Sequence, residues 1–309
     1  MGWTSPEKLI ELIESGNRRG LSRAISVVEN QLEGHEPLLN YAFNKGGGAS
    51  LTLGITGPPG VGKSTLASAL IKKYRALKKT VGVIAVDPTS PYTGGAFLGD
   101  RVRMAEHGGD SGVYIRSIAS RKSLGGLSEG TKRILYLYKA FGFDMIIIET
   151  VGVGQDEIDI SIMADLTAVL LAPGAGDELQ MSKAGIMEVA DLFIINKSDR
   201  PEAEKTGHLL KSTLLTLAKE YQPPVINTIA DQHVGIDAVI DAIQSIHRKR
   251  RENGIERYRQ RIREEIRSAV AFRLNQEIRN AVDVMTDRVL SGDITPIHAA
   301  SEICRKFKL

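Results

Sequence analysis

The 309-residue sequence contains one cysteine, Cys304. A lone thiol cannot close an intramolecular disulfide framework or build a cysteine-cluster metal site. Long apolar runs are missing as well: no segment reaches the ~18 uninterrupted apolar residues of a membrane span. The opening stretch, MGWTSPEKLIELIESGNRRG, has neither a long apolar core nor a cleavage signal, so a soluble, cytoplasmic protein without membrane attachment is expected. Excess charge of either sign is small. Lysine and arginine total 40 against 37 aspartates and glutamates, a net +3 that gives no reason to expect nucleic acid. The basic run HRKRR at 247–251 lacks interleaved aromatics and is followed by glutamates, so it does not change that expectation. Only 11 residues are proline and 42% are hydrophobic, which argues against disorder and allows one large α/β unit with appendages or two modest domains.

What is present is organised around residues 51–70, LTLGITGPPGVGKSTLASAL. An apolar run ends in a glycine loop and continues into alanine, leucine and lysine at helical spacing, which is the strand, loop, helix context of a P-loop. Gly57, Pro58, Pro59, Gly60, Val61 and Gly62 form the loop. Its glycines let backbone N–H groups turn onto phosphate, and the following helix presents its N-terminus to the same anion. Lys63 can then reach the β and γ phosphates, Ser64 can place its hydroxyl on Mg²⁺, and Thr65 starts the helix with some contact to the α phosphate. The stretch reads as a nucleoside triphosphate site.

Further apolar runs each deliver a polar group to the carboxyl edge of a sheet, where open α/β folds bind ligands. Residues 81–86 predict a buried parallel strand ending at Asp87 and Pro88. The irregular segment that follows, DPTSPYTGGAFLGDRVRM, is bracketed by Asp87 and Asp100, both candidate partners of the Mg²⁺ on Ser64. The alternatives are a strand-end turn for Asp87 and a helix start for Asp100. Residues 112–115 fit a short strand, and 116–126, RSIASRKSLGG, a basic loop in which Arg116, Arg121 or Lys122 neutralises transition-state charge or serves a protein contact. A helix at 127–141 leads to a strand ending at Glu149, which opens ETVGVGQDE. Glu149 can accept from a Mg²⁺-bound water, Gly152 leaves room for its N–H to sense a γ phosphate, and Gln155 either orients the attacking water or caps locally.

A strand at 166–171 is followed by APGAGDELQMSKAG, and one at 191–195 by Asn196, Lys197 and Asp199 in NKSD. A carboxylate accepting from both N1–H and the exocyclic amine selects guanine, because adenine would set a lone pair against Asp199. Asn196 can bind the base edge or tie loops, and the stem of Lys197 can cover the ring. A strand at 224–229 leads to Ala230, a candidate for backbone contact to guanine O6. Asp231, His233 and Gly235 read DQHVG, one residue short of a cobalamin-ligating DxHxxG, so His233 is taken as a loop residue and no cobalamin is expected on this chain.

The two ends read as helical. Residues 4–32 carry two short amphipathic patterns, with Ser5 as cap and Pro6 at the first helical position of the first, and KGGGAS at 45–50 is a joint. Residues 235–246 are helical in period. Beyond them, Ile255, Tyr258, Ile262, Ile266, Val270 and Leu274 form the apolar stripe of one long helix interrupted near Gly254, which packs against a second copy or folds back on the N-terminal helices.

Together, GPPGVGKS, DPTSPYTGGAFLGDRVRM, ETVGVGQDE and PGAGDELQMSKAGIMEVADLFIINKSD resemble the MeaB/MMAA (ArgK-like) family over nearly the whole chain. These are P-loop GTPases that act as chaperones of adenosylcobalamin-dependent acyl-CoA mutases. The resemblance implies an α/β P-loop GTPase fold with a mostly parallel central sheet, N-terminal helices at 1–48, a nucleotide core at 49–247 and a helical C-terminal dimerisation extension at 248–309. It implies a homodimer, GTP and GDP as substrate and product, and Mg²⁺ as cofactor. It places Lys63 and Ser64 on phosphate and metal, Asp87, Asp100 and Glu149 in the metal and switch network, and Asn196, Lys197 and Asp199 on guanine. It also makes Asp177, Glu178, Gln180 and Lys183 part of a switch facing the mutase. The sequence departs from the family in lacking a proline in the 116–126 loop, in carrying Asp156 where serine is common, and in Ala230 where serine is common; none of these removes a phosphate or magnesium group. A nickel-insertion GTPase and a small-metabolite kinase are the competing functions, the first lacking its Cys and His clusters here.

Overall fold

The computed structural model describes residues 5–45, 50–88, 104–120, 129–150, 156–174, 184–216, 222–252 and 254–307. The chain divides into two compact units, residues 1–254 and 255–309.

In the first unit the apolar runs become a seven-stranded sheet, β1 (Leu51–Thr56), β2 (Val81–Pro88), β3 (Val113–Ser120), β4 (Met145–Glu149), β5 (Leu166–Leu171), β6 (Leu192–Ile195) and β7 (Val225–Asn227). The order is β3-β2-β4-β1-β5-β6-β7, and every pair is parallel. Strands buried on both faces need no polar alternation, which is why β4 reads MIIIE and β5 reads LTAVLL, with every residue of both buried. The chain leaves β1 towards β2 on one side, and after β4 continues to β5 on the other. β1 is therefore flanked by β4 and β5 at the point where the winding reverses, the place where such sheets open a crevice at their carboxyl ends.

Period-two alternation assigns the faces. Leu53 and Ile55 of β1, Val81 and Val83 of β2, and Ala168 and Leu170 of β5 pack with α4 (Lys63–Ala76) and α9 (Ile236–Glu252). On the other face, Ile84, Val86, Ile118, Ile146 and Ile148 meet α1 (Pro6–Glu14), α2 (Arg18–Glu29), α3 (His35–Lys45), α5 (Glu129–Phe141) and α6 (Asp156–Met163). Val169, Leu171, Phe193 and Ile195 continue that face under α7 (Ala184–Val189) and α8 (Ala203–Thr216). The first N-terminal helix starts as its sequence predicts, and the second starts at a cap the sequence reading did not name. Ser5 Oγ accepts from Lys8 N at 3.4 Å with Pro6 in the first turn, and Asn17 Oδ1 accepts from Arg19 N and Gly20 N at 3.0 Å each. α3 lies beyond the two amphipathic patterns read at 4–32; its periodicity is weak because only Leu38 and Ala42 are buried along it.

The largest difference from the sequence reading lies in β3. The chain stays extended through Ser120 because β2 runs on to Pro88 and pairs with it position by position, from Val81 with Val113 to Pro88 with Ser120. Arg116 is thus a strand residue, and its guanidinium pairs with Glu29 of α2 at 2.8 Å. It shares the Ile118 face, opposite α4. That geometry takes Arg116 away from the phosphate-neutralising role expected of its loop; Arg121 and Lys122 lie outside the described residues.

In the second unit α10 (Gly254–Leu290) and α11 (Pro296–Phe307) are joined by a turn. Ala281, Ala299 and Ile303 are buried, and Arg288 pairs with Glu302 at 2.9 Å. The interruption expected near Gly254 falls between α9, which ends at Glu252, and α10, which starts at Gly254. Arg250, near the end of α9, is held by the Asp191 carboxylate and the Asp165 carbonyl of the first unit.

Candidate functional site

β1 ends at Thr56 and the loop begins at Gly57, whose φ of +140° suits glycine alone. A Cβ there would run into the backbone carbonyl of Leu170 on β5. Gly62, at φ +100°, caps α4, and a Cβ on it would meet the Asn196 amide. The cap brings no side chain and the first turn of α4 no acid of its own, so the positive end of the helix dipole faces the loop. Lys63 and Ser64, the first residues of α4, are buried, whereas Thr65 is exposed.

The Lys63 ammonium donates to the carbonyls of Gly57 and Pro58, at 2.8 and 2.9 Å. The loop is thus closed on its own lysine. Ser64 Oγ donates to Glu149 Oε1 at 2.6 Å, with the residues 6% and 2% exposed. Two adjacent strands make that contact possible: β1 leads into the helix carrying Ser64, and β4, in register with β1 through Ile55 and Glu149, ends on the carboxylate. A hydroxyl and a carboxylate form an all-oxygen donor set, the chemistry Mg²⁺ requires, and nothing softer stands beside them in this pair. Among the described residues no group of three His, Cys, Asp or Glu forms a metal cluster.

β6 delivers the other half of the site. Asn196 is buried and bonded on both ends of its amide: Nδ2 donates to Val61 O at 2.8 Å, and Oδ1 accepts from Thr228 Oγ1 at 3.1 Å and from Ala230 N at 3.0 Å. Lys197, at φ +56°, reaches back with Nζ to Gly60 O at 2.7 Å. Asp199 is exposed. Ser198 N and Oγ both donate to Thr228 O, at 3.1 and 3.0 Å, which fixes the 228–230 turn beside this strand end. The Ala230 N–H, a candidate for guanine contact by sequence, is here the donor to Asn196.

The structure therefore brings Gly57, Pro58, Gly60, Val61, Gly62, Lys63, Ser64, Glu149, Asn196, Lys197 and Ala230 to one edge of the sheet. Asp87 is placed by its backbone alone, opposite Ala119 in the β2–β3 pairing, and its side chain lies outside the description. Asp100, Gly152, Gln155, Asp177, Glu178, Gln180 and Lys183 lie outside the described residues. Sequence reasoning took Thr228 only as the start of a loop for backbone contact to guanine and passed over its hydroxyl and Thr150, which hold neighbouring loops by hydroxyl bonds. For Thr150 the available signal was a threonine directly after a strand-end carboxylate.

A strand, glycine loop and helix closed by lysine on a parallel sheet is shared by many nucleotide-binding proteins, so the comparison with known proteins decides the family. The model of a family described as Methylmalonyl Co-A mutase-associated GTPase MeaB matches residues 21–283. The chain belongs to the MeaB family. It is 40% identical over 245 residues to the GTPase ArgK of Escherichia coli, spanning 76% of this chain and 73% of that protein. It is 32% identical over 331 residues to the mitochondrial methylmalonic aciduria type A homolog of Mus musculus, spanning 98% and 79%. Among solved structures, one described as LAO/AO transport system kinase superposes with a TM-score of 0.71 at 26% identity, over 100% of this chain and 99% of that one. Like its MeaB-family relatives, this chain is a P-loop GTPase that hydrolyses GTP. No helix among the described residues is long and apolar enough to cross a membrane.

Proposed function

We propose that this MeaB-family GTPase is a cytoplasmic chaperone that uses GTP hydrolysis to gate cofactor loading, protection or repair of an adenosylcobalamin-dependent acyl-CoA mutase, methylmalonyl-CoA mutase or a close relative. The observation that carries the reading is the match of residues 21–283 to a family described by its association with that mutase. The site geometry supports the chemistry. In it Lys63 leaves the Gly57 and Pro58 carbonyls to reach the β and γ phosphates while the loop N–H groups hold the chain of phosphates. Ser64 and Glu149 would hold Mg²⁺, with Asp87 and Asp100 completing the network; when bound, that ion neutralises charge between the phosphates. Asn196, Lys197 and Asp199 read guanine. Gly152 senses the γ phosphate and Gln155 orients the attacking water. With no strong base assigned beside that water, slow intrinsic turnover is expected.

Asp177, Glu178, Gln180 and Lys183 form the partner-facing switch in this reading, and α10 supplies the homodimer interface. The organisation is an N-terminal helical segment, the nucleotide core and a C-terminal dimerisation extension. Arg250, tied to Asp191 and Asp165, lies on the part of α9 that runs past residue 247. No cobalamin is bound by this chain in this reading; His233 is exposed at a left-handed turn position, φ +58°.

The deciding experiment is a pull-down from native cells with GDP or a nonhydrolysable GTP analogue, read by mass spectrometry. Recovery of a B12-dependent mutase in nucleotide-dependent yield is expected. Linkage then requires the purified mutase to change nucleotide affinity by the same factor. A nucleotide-independent set of proteins without such a mutase overturns the chaperone reading, and a stoichiometric phosphorylated metabolite in place of free phosphate would favour a kinase.

A further inference from the structure

We infer that Thr150, through its hydroxyl bond to Thr56, is a positioning residue for the Ser64–Glu149 pair; the inference rests on the metal-holding role proposed above for that pair. β1 and β4 are in register up to Ile55 and Glu149, and Thr150 N donates to Ile55 O at 3.2 Å. One residue later the strands part, because β1 turns into the phosphate loop at Gly57. The connection there is made by side chains. Thr150 Oγ1 donates to Thr56 Oγ1 at 3.2 Å, and the two residues are 1% and 0% exposed.

Alternation turns this pair to the face opposite Ile55 and Glu149. The preceding cross-strand pairs on the same face are Thr52 with Ile146 and Gly54 with Ile148, and neither joins two polar side chains. A directional bond thus replaces apolar contact where β1 leaves for the loop and β4 delivers its carboxylate. Thr56 is covalently next to Gly57, and Thr150 next to Glu149. The separation of the two hydroxyls therefore sets the separation of the loop from the carboxylate. A hydroxyl–carboxylate contact of 2.6 Å, as between Ser64 and Glu149, tolerates little displacement before it weakens.

The test measures the Mg²⁺ concentration that half-maximally slows release of a fluorescent GDP analogue from the full-length protein, alongside GDP affinity in EDTA and melting temperature. Thr150→Val keeps the volume but removes the bond. It should raise the Mg²⁺ requirement roughly five- to tenfold, the size of one lost hydrogen bond, with EDTA affinity nearly unchanged. Thr150→Ser should retain the wild-type requirement. The double variant Thr56→Val/Thr150→Val removes both polar partners and should recover melting temperature, because no buried hydroxyl is left unmatched, yet keep the raised Mg²⁺ requirement. Should Thr150→Val alone fail to fold, the double variant carries the test. A wild-type Mg²⁺ requirement in the folded valine variants, or its recovery together with stability in the double variant, reduces the pair to a structural role and overturns the inference. Glu149→Gln separates the two levels: an unchanged Mg²⁺ requirement in that variant removes Glu149 from the metal network and overturns both readings. A raised requirement in Glu149→Gln with none in the valine variants overturns the Thr150 assignment alone.

Discussion

Asn196 Nδ2 donates to the carbonyl of Val61 at 2.8 Å, so the strand end that carries NKSD is bolted to the phosphate loop. The same amide accepts from Thr228 and Ala230, which makes one buried side chain the junction of three loops. On the proposed reading, phosphate grip and base recognition are mechanically joined through it.

Replacing Asn196 by alanine should therefore act on stability as well as on binding. Three hydrogen bonds go, and the partners they leave are buried, so a loss of about 2–4 kcal/mol is expected. Denaturant melts of the nucleotide-free protein check this. A variant of unchanged stability that binds GDP poorly would restrict Asn196 to base contact.

Asp199 is exposed, so its replacement should separate recognition from stability. Asp199→Ala should weaken GTP binding by roughly 10- to 100-fold, the worth of hydrogen bonds to a charged acceptor, and leave ATP binding and the melting temperature where they were. Titration calorimetry with both nucleotides measures the difference. Equal affinity of the wild-type protein for GTP and ATP would remove the guanine-reading assignment.

A pH dependence of stability should arise at His107. Its Nε2 lies 2.8 Å from Ser68 Oγ, one helical turn beyond Ser64, and Ser68 also donates to Glu106 Oε1 while Lys72 pairs with Oε2 at 2.8 Å. Burial pushes the imidazole below its ordinary 6.5; the Lys72 charge adds to that, and Glu106 and Asp110 oppose it. Well above pH 6.5 the ring is neutral folded or unfolded, and its contribution is complete. As pH falls below 6.5 the unfolded chain takes up the proton first, so stability declines until the folded-state value is passed. His107→Gln should flatten that decline in melts recorded from about pH 7.5 to about pH 5. An identical slope in both proteins would assign the acid sensitivity to other groups.

Ile266 and Val270 are 58% and 59% exposed on α10, four residues apart and hence on one face. In the proposed homodimer that face is covered by a second copy. Ile266→Glu with Val270→Glu should yield a monomer by light scattering with the nucleotide site intact, judged by unchanged GDP affinity. A persistent dimer would locate the interface elsewhere.

The phosphate loop, the strand ends that carry Asp87, Glu149 and Asn196, and the parallel character of the sheet were all legible along the chain. Each of these is local: a glycine spacing, an apolar run of strand length, or a polar residue where that run stops. β5 matches its predicted 166–171 span because its apolar run stops at both ends. What each polar group meets came from the fold alone. Arg116 reads as part of a basic loop because Arg121 and Lys122 follow it closely, yet pairing with β2 keeps it in a strand and gives it to Glu29, 87 residues away. Asn196 reads as a base ligand, and the fold adds Val61 across 135 residues of chain. Thr56 and Thr150 lie inside two quoted stretches, yet nothing in either stretch pairs one with the other. Their bond follows from β4 lying beside β1, which strand order fixes and local sequence does not, because the free energy of pairing comes from surfaces that meet only when the whole sheet forms.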